Sequence, residues 1–124
     1  AEEESLGLLR VDQNLIGKKS PKGLFSLIVK GDSMNKREVD GVKIKEEKYL
    51  IVDKNANVQE GDVVVAVIDN SATVKNISLT TKDMVVLYPE SDNPKHQPIY
   101  LDSKSDFLIN GKVIKVLSNP MGIT

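Results

Sequence analysis

The strongest constraint on this chain is its series of short β-branched segments, each closed off by turn residues. Residues 24–29 read Leu-Phe-Ser-Leu-Ile-Val, 49–52 read Tyr-Leu-Ile-Val, and 63–68 read Val-Val-Val-Ala-Val-Ile. Such residues suit a pleated surface and lose rotamer freedom in a helix. Pro21 and Gly23 punctuate the start of the first segment, residues 55–61 turn the chain into the third, and Asp69-Asn70-Ser71 makes a tight turn into a strand at 73–77. Further strands are expected at 84–88, 99–101 and 107–116, where Asn110-Gly111 invites a hairpin turn or a bulge. No stretch of useful length carries helical periodicity. The fold class is therefore all-β: a sandwich or irregular barrel of short, mostly antiparallel strands.

At 124 residues, the chain fits a single domain, 1–124. Residues 1–20 form a polar arm, with Glu2 to Glu4 solvated and Leu8, Leu9, Val11, Leu15 and Ile16 able to lie along the body. Residues 35–48 read as a highly charged connection with Gly41 at a turn, and 43–48 most simply as a solvated stretch. The absence of cysteine excludes a disulfide framework, a thiolate zinc site and a cysteine nucleophile. Seventeen basic and eighteen acidic residues leave a net charge of −1, without the basic surplus expected of a domain that grips nucleic acid by itself. No apolar run approaches the ~20 residues that span a bilayer. The acidic start Ala1-Glu2-Glu3-Glu4 is also the opposite of a signal peptide's basic opening. A cytoplasmic protein without membrane contact is expected. Neither metal-ligand spacing nor a phosphate-binding glycine loop is present, so no metal and no cofactor is expected.

The chemistry-bearing candidates are Ser33 and Lys75, 42 positions apart. Ser33 lies in Gly31-Asp32-Ser33-Met34, directly after an apolar strand; on local context a serine there is most often a turn residue. Its place at the end of a strand nevertheless holds it rigidly, and Gly31 lets the backbone approach a substrate chain. Lys75 lies in Ala72-Thr73-Val74-Lys75-Asn76, an alternating segment that puts Thr73 and Lys75 on one face and Val74 on the other. A lysine on a solvent face is ordinary. A lysine that acts as a base must be neutral, which requires desolvation, and the 63–68 strand, apolar on both faces, could supply it. Thr73 would then hydrogen-bond the amine and aim it. Together, Ser33 and Lys75 match the nucleophile and general base of a Ser–Lys dyad. His96, the only histidine, sits in a polar, proline-flanked loop (93–98) and reads as a solvated residue. Asp32, with Asp40, Asp53, Asp62 and Asp69, falls at turns or strand starts, where carboxylates cap backbone N–H groups.

The order of these motifs resembles the C-terminal peptidase domain of the LexA family, which includes LexA repressors, UmuD mutagenesis proteins and lambda-type phage repressors. Gly31-Asp32-Ser33-Met34 matches the serine motif and Tyr49-Leu50-Ile51-Val52-Asp53 the strand that follows. Glu60-Gly61-Asp62-Val63-Val64-Val65-Ala66 and Ala72-Thr73-Val74-Lys75 match the central strand and the lysine motif. The stretch Leu87-Tyr88-Pro89-Glu90, the later Pro98-Ile99 and Gly111-Lys112-Val113-Ile114 resemble the remaining segments, so the likeness covers nearly the whole chain. It implies a LexA-like peptidase fold and a self-cleaving serine endopeptidase in which Ser33 attacks a bond of the protein's own linker and Lys75 takes its proton, with Asp32, Met34 and Thr73 in support. It also implies a homodimer, stimulation by the RecA filament as a co-protease in the response to DNA damage, and DNA contact only through an N-terminal domain outside this chain.

The likeness departs in two places. The connection from Met34 to Tyr49 is longer and more charged than usual, with Glu47-Lys48 where the family often has Gly-Asp. The family's Ala-Gly or Cys-Gly scissile dipeptide does not occur, while Ala1-Glu2-Glu3-Glu4 resembles the sequence just past the cut. The chain is thus expected to be a C-terminal cleavage product or a piece cut to resemble one. Two alternatives stand beside the repressor: a UmuD-like polymerase accessory protein and a non-catalytic dimerisation module of the same fold. Type I signal peptidases share the Ser–Lys chemistry but need a membrane anchor and usually a proline soon after Ser-Met, neither of which is seen here.

Overall fold

The computed structural model describes residues 7–9, 23–81 and 83–118. Ten strands occur among them: β1 (Gly7–Leu9), β2 (Leu24–Ile28), β3 (Glu38–Val39), β4 (Val42–Lys43), β5 (Tyr49–Asp53), β6 (Val63–Ile68), β7 (Ser71–Thr81), β8 (Met84–Tyr88), β9 (Ile99–Asp102) and β10 (Phe107–Leu117). The described residues contain no helix, so the all-β expectation holds. Eight strands form one sheet in the order β1-β2-β5-β10-β6-β7-β8-β9, each neighbouring pair antiparallel. The remaining two, β3 and β4, make a separate hairpin. β1 and β9 stand at opposite ends of the order, so the sheet is not a closed barrel. Of the arm, Leu8 and Leu9 fall on β1, which pairs with β2; Glu2 to Glu4, Val11, Leu15 and Ile16 lie outside the described residues.

The central strand explains why the two faces are both apolar. Alternation sends Val63 and Val65 of β6 into one hydrophobic cluster and Val64 and Ala66 into another. The first cluster gathers Leu27, Leu50, Val52, Val74, Val113 and Val116. The second gathers Ile77, Leu87 and Leu101. The β6–β7 connection is a two-residue turn with Asp69 and Asn70 both at positive φ, the type I′ geometry whose twist matches the strands it joins. Asn110-Gly111 forms no hairpin. β10 runs straight through it with a register shift between Ile109 and Gly111, and a side chain at Gly111 would press on Val52 at 2.6 Å.

One segment departs from its sequence-based expectation. The charged connection at 35–48 contains the β3–β4 hairpin, turned by Asp40-Gly41 at positive φ, and it carries Ile44 into the first cluster at 0% exposure. The single apolar residue in Lys43-Ile44-Lys45-Glu46-Glu47-Lys48 is the anchor, and Lys43, Lys45, Glu46 and Glu47 around it are exposed. Ile44→Ala is therefore expected to destabilise the fold by about 2–4 kcal/mol, read from the urea midpoint. A solvated connection would tolerate the change with a shift below about 0.5 kcal/mol.

Candidate active site

Ser33 reaches its position because β2 is extended past its last residue and then broken. Val29 N–H donates to Lys48 O and Glu47 N–H to Val29 O, which carries the pairing one residue beyond β2. Gly31, at φ +106°, then swings the chain away from the sheet. Tight turns follow, with Asn35 N–H on Asp32 O and Arg37 N–H on Met34 O. Met34 is buried in the first cluster and pins the turn to the core. The methionine of Gly31-Asp32-Ser33-Met34 thus packs, while the serine beside it is left to face the lysine.

Lys75 is set by β7. Its register partner on β6 is Val64, and Thr73 lies opposite Ala66, so the lysine shares its sheet face with apolar neighbours. Pairing of β7 with β8 ends at Asn76 and Tyr88, and beyond that point the 31–36 turn approaches Lys75. Lys75 is 1% exposed and Ser33 0%. The amine Nζ lies 2.8 Å from Ser33 Oγ, 2.5 Å from Thr73 Oγ1 and 3.2 Å from Val74 O. Ser33, on the turn after β2, and Thr73 and Lys75, on β7, are separated in sequence by the β3–β4 hairpin and strands β5 and β6, yet they meet within one hydrogen-bonded group.

A second layer of contacts braces this group. Glu90 N–H donates to Ser33 O, and Lys36 N–H donates to Glu90 O, both at 2.9 Å. The Glu90 carboxylate accepts from Arg37 at 2.6 Å and from Asn76 at 3.1 Å, while Arg37 also donates to Gly61 O at 2.8 Å. Thus the segment after β8 grips the serine turn and the lysine strand together.

Two expectations need correction here. His96 is not a solvated loop residue: its side chain is 1% exposed, and its Nε2 lies 2.5 Å from Asp32 Oδ1. The Asp32 side chain is held by that ring and by Asn93 Nδ2 at 3.3 Å, so its carboxylate binds side chains of a distant loop. The His96 contact, followed by that of Asn93, holds the Asp32 carboxyl below its ordinary value of 3.8. A depressed carboxyl stabilises the fold above its unfolded pKa and loses that contribution as pH falls through the folded one. The Asp32 carboxyl is therefore ionised across the neutral and alkaline range. Arg37, Glu90, Asn93 and His96 were not legible as site residues, because each contact spans more than fifty positions. The one available signal was a lone histidine between two prolines, Pro94 and Pro98.

No helix among the described residues is long and apolar enough to cross a membrane. The family model described as Peptidase S24-like matches residues 1–114. The chain is 40% identical to the LexA repressor of Magnetococcus marinus, over 74% of this chain and 36% of that protein. It is 34% identical to the LexA repressor of Myxococcus xanthus, over 98% and 52% respectively. It is 37% identical to the LexA repressor of Anaeromyxobacter sp. (strain Fw109-5), over 94% and 47%. The chain thus spans about half or less of the length of these relatives. With nearly all of its length matched, and with the all-β architecture and buried serine and lysine described above, it belongs to the Peptidase S24-like family.

Proposed function

We propose that this chain is the self-cleavage and dimerisation domain of a LexA-type repressor, with Ser33 as nucleophile and Lys75 as general base. The observation that carries the reading is the 2.8 Å contact between Lys75 Nζ and Ser33 Oγ in a buried setting. Burial disfavours the ammonium form and so favours an amine with two N–H groups and one lone pair. With the N–H groups directed at Thr73 Oγ1 and Val74 O, the lone pair faces the Ser33 hydroxyl. Lys75 then takes the hydroxyl proton as Ser33 Oγ bonds to the carbonyl carbon of the scissile peptide. It returns that proton to the leaving amine as the C–N bond breaks. Water, deprotonated by the same amine, hydrolyses the resulting ester and restores the serine.

Because the named relatives are LexA repressors longer than this chain, the repressor reading is favoured over the UmuD-like one. DNA binding would belong to a further domain, cleavage would be stimulated by the RecA filament, and the protein would act in the cytoplasm as part of the SOS response. The 124 residues are proposed as one domain. Supplied with a peptide carrying an Ala-Gly bond, the chain is expected to cut it in trans, slowly, since intramolecular presentation contributes a large effective concentration that is lost here. Mass spectrometry showing no Ser33-dependent product at pH 9 overturns the peptidase reading and leaves the non-catalytic module.

Dimerisation is proposed on different grounds. Two-fold operators are read by two-fold proteins, and a dimer supplies the avidity that small DNA-binding domains lack. β10 pairs with β6 over Phe107–Lys112 and with β5 over Lys112–Leu117, so each half of this C-terminal strand has one backbone edge outside those two pairings. The dimer would use this apolar C-terminal region, residues 107–117, including side chains such as Leu108, 59% exposed. Sedimentation at micromolar concentration is expected to show a species of about twice the 13.6 kDa chain mass. A monomer alone at that concentration counts against it.

A further inference from the structure

The contact between Asp32 and His96 has no part in the proton transfers of the Ser–Lys scheme, yet it bears on the residue immediately before the nucleophile. An ionised carboxylate only accepts, so His96 Nε2 carries the hydrogen in the 2.5 Å contact with Asp32 Oδ1. Hydrogen bonds of this charge-assisted kind are the strong ones, and here one partner is almost wholly buried. His96 is itself fixed by a turn, its N–H donating to Asn93 O at 3.4 Å, while Lys95 N–H donates to Asn93 Oδ1 at 3.0 Å. The same segment reaches further along the serine turn: Asn35 Nδ2 donates to Asp92 Oδ1 at 2.9 Å, and Asp92 N–H returns to Asn35 Oδ1 at 3.2 Å. Residues 90–96 therefore hold the serine turn at Asp32, Ser33, Asn35 and Lys36.

The turn needs such a hold. Gly31 sits at φ +106° at its entrance, a conformation that glycine leaves easily, and residues 31–36 belong to no strand. Backbone contacts to Glu90 fix the Ser33 carbonyl and the Lys36 amide but leave the entrance of the turn to Asp32. We infer that His96 is a positioning residue: by fixing the Asp32 carboxylate it holds the entrance of the serine turn and thereby keeps Ser33 Oγ on Lys75 Nζ. The inference rests on the Ser–Lys reading for its effect on reactivity, and on geometry alone for its effect on the turn. A displacement of ~1 Å at a reacting atom is enough to cost about 100-fold in rate.

Two readouts on the full chain test it: the rate of Ser33 modification by a fluorophosphonate, followed by intact mass from pH 6 to 10, and amide hydrogen exchange of residues 31–36. His96→Ala is expected to slow modification by roughly 10–100-fold at every pH, with the half-maximal pH unmoved. His96→Gln, whose amide N–H replaces the ring N–H, is expected to recover most of that rate. Asp32→Ala, at a half-exposed side chain that is safer for folding, is expected to reproduce His96→Ala, and the double variant to be no worse than either. Exchange of the 31–36 amides is expected to rise about tenfold or more in both single variants. Wild-type labelling rates in His96→Ala and Asp32→Ala, a shifted half-maximal pH, or unchanged exchange at 31–36 each overturn the inference. If Lys75→Met labels as fast as wild type, the Ser–Lys reading fails instead, and exchange at 31–36 still decides whether the clamp exists.

Discussion

Replacing Lys75 with methionine is expected to lower cleavage of a supplied substrate by about three to six orders of magnitude while the protein stays folded. Lys75 is among the largest fully buried side chains, and methionine fills nearly the same volume without an amine. The proposed proton acceptor would thus be removed without opening a cavity. Burying an amine is costly, and losing it also loses its hydrogen bonds to Ser33, Thr73 and Val74. These effects oppose each other, so the urea midpoint should move by no more than about 1 kcal/mol. Ser33→Ala should cost as much activity as Lys75→Met, and the double variant no more than either, because a nucleophile and its base act as one unit. Multiplying losses in the double variant would mean that the two residues act separately. Product accumulation over hours, quantified by mass spectrometry, makes the comparison.

The second large effect is in pH. Below the pKa of the amine, its neutral fraction rises tenfold per pH unit, and only the neutral form accepts the Ser33 proton. Cleavage should climb from pH 7 into the alkaline range, approaching ~100-fold over two units where the pKa lies above them, and flatten near that pKa. Asp32 does not bend this profile, since its carboxyl is held below its ordinary value of 3.8 and stays ionised throughout. A histidine base would level off near ~7, within about a unit of its unperturbed pKa. Rates at constant ionic strength across pH 6–10 separate the two.

What the sequence made legible follows from the range of each interaction. β6 could be read directly, because Val63 to Ile68 form an apolar run that is β-branched except at Ala66, and a hairpin turn follows at Asp69-Asn70. Thr73 and Lys75 could be placed on one face by alternation alone, which is a local property of β7. The β3–β4 hairpin was not legible, since each strand is two residues long and carries a charge, and only the burial of Ile44 gives it a reason to fold back. Neither was the role of the 90–96 segment. Its residues are polar and its periodicity is nil, so nothing local announces that Glu90, Asn93 and His96 will meet Arg37 and Asp32 across the fold. Gly111 was ambiguous for a different cause: Asn-Gly serves hairpins and bulges alike, and the choice is made by β5 and β6, which flank β10 on either side.

Fluorophosphonate labelling at pH 9 tests whether Lys75 activates Ser33 as a nucleophile, without need of any substrate. Wild-type chain should gain one adduct, located at Ser33 by peptide mapping, while Lys75→Met, shown to be folded by its urea midpoint, gains none in the same time. Equal adduct formation in wild type and Lys75→Met, or an adduct on a residue other than Ser33, would rule out Ser33 as a nucleophile activated by Lys75.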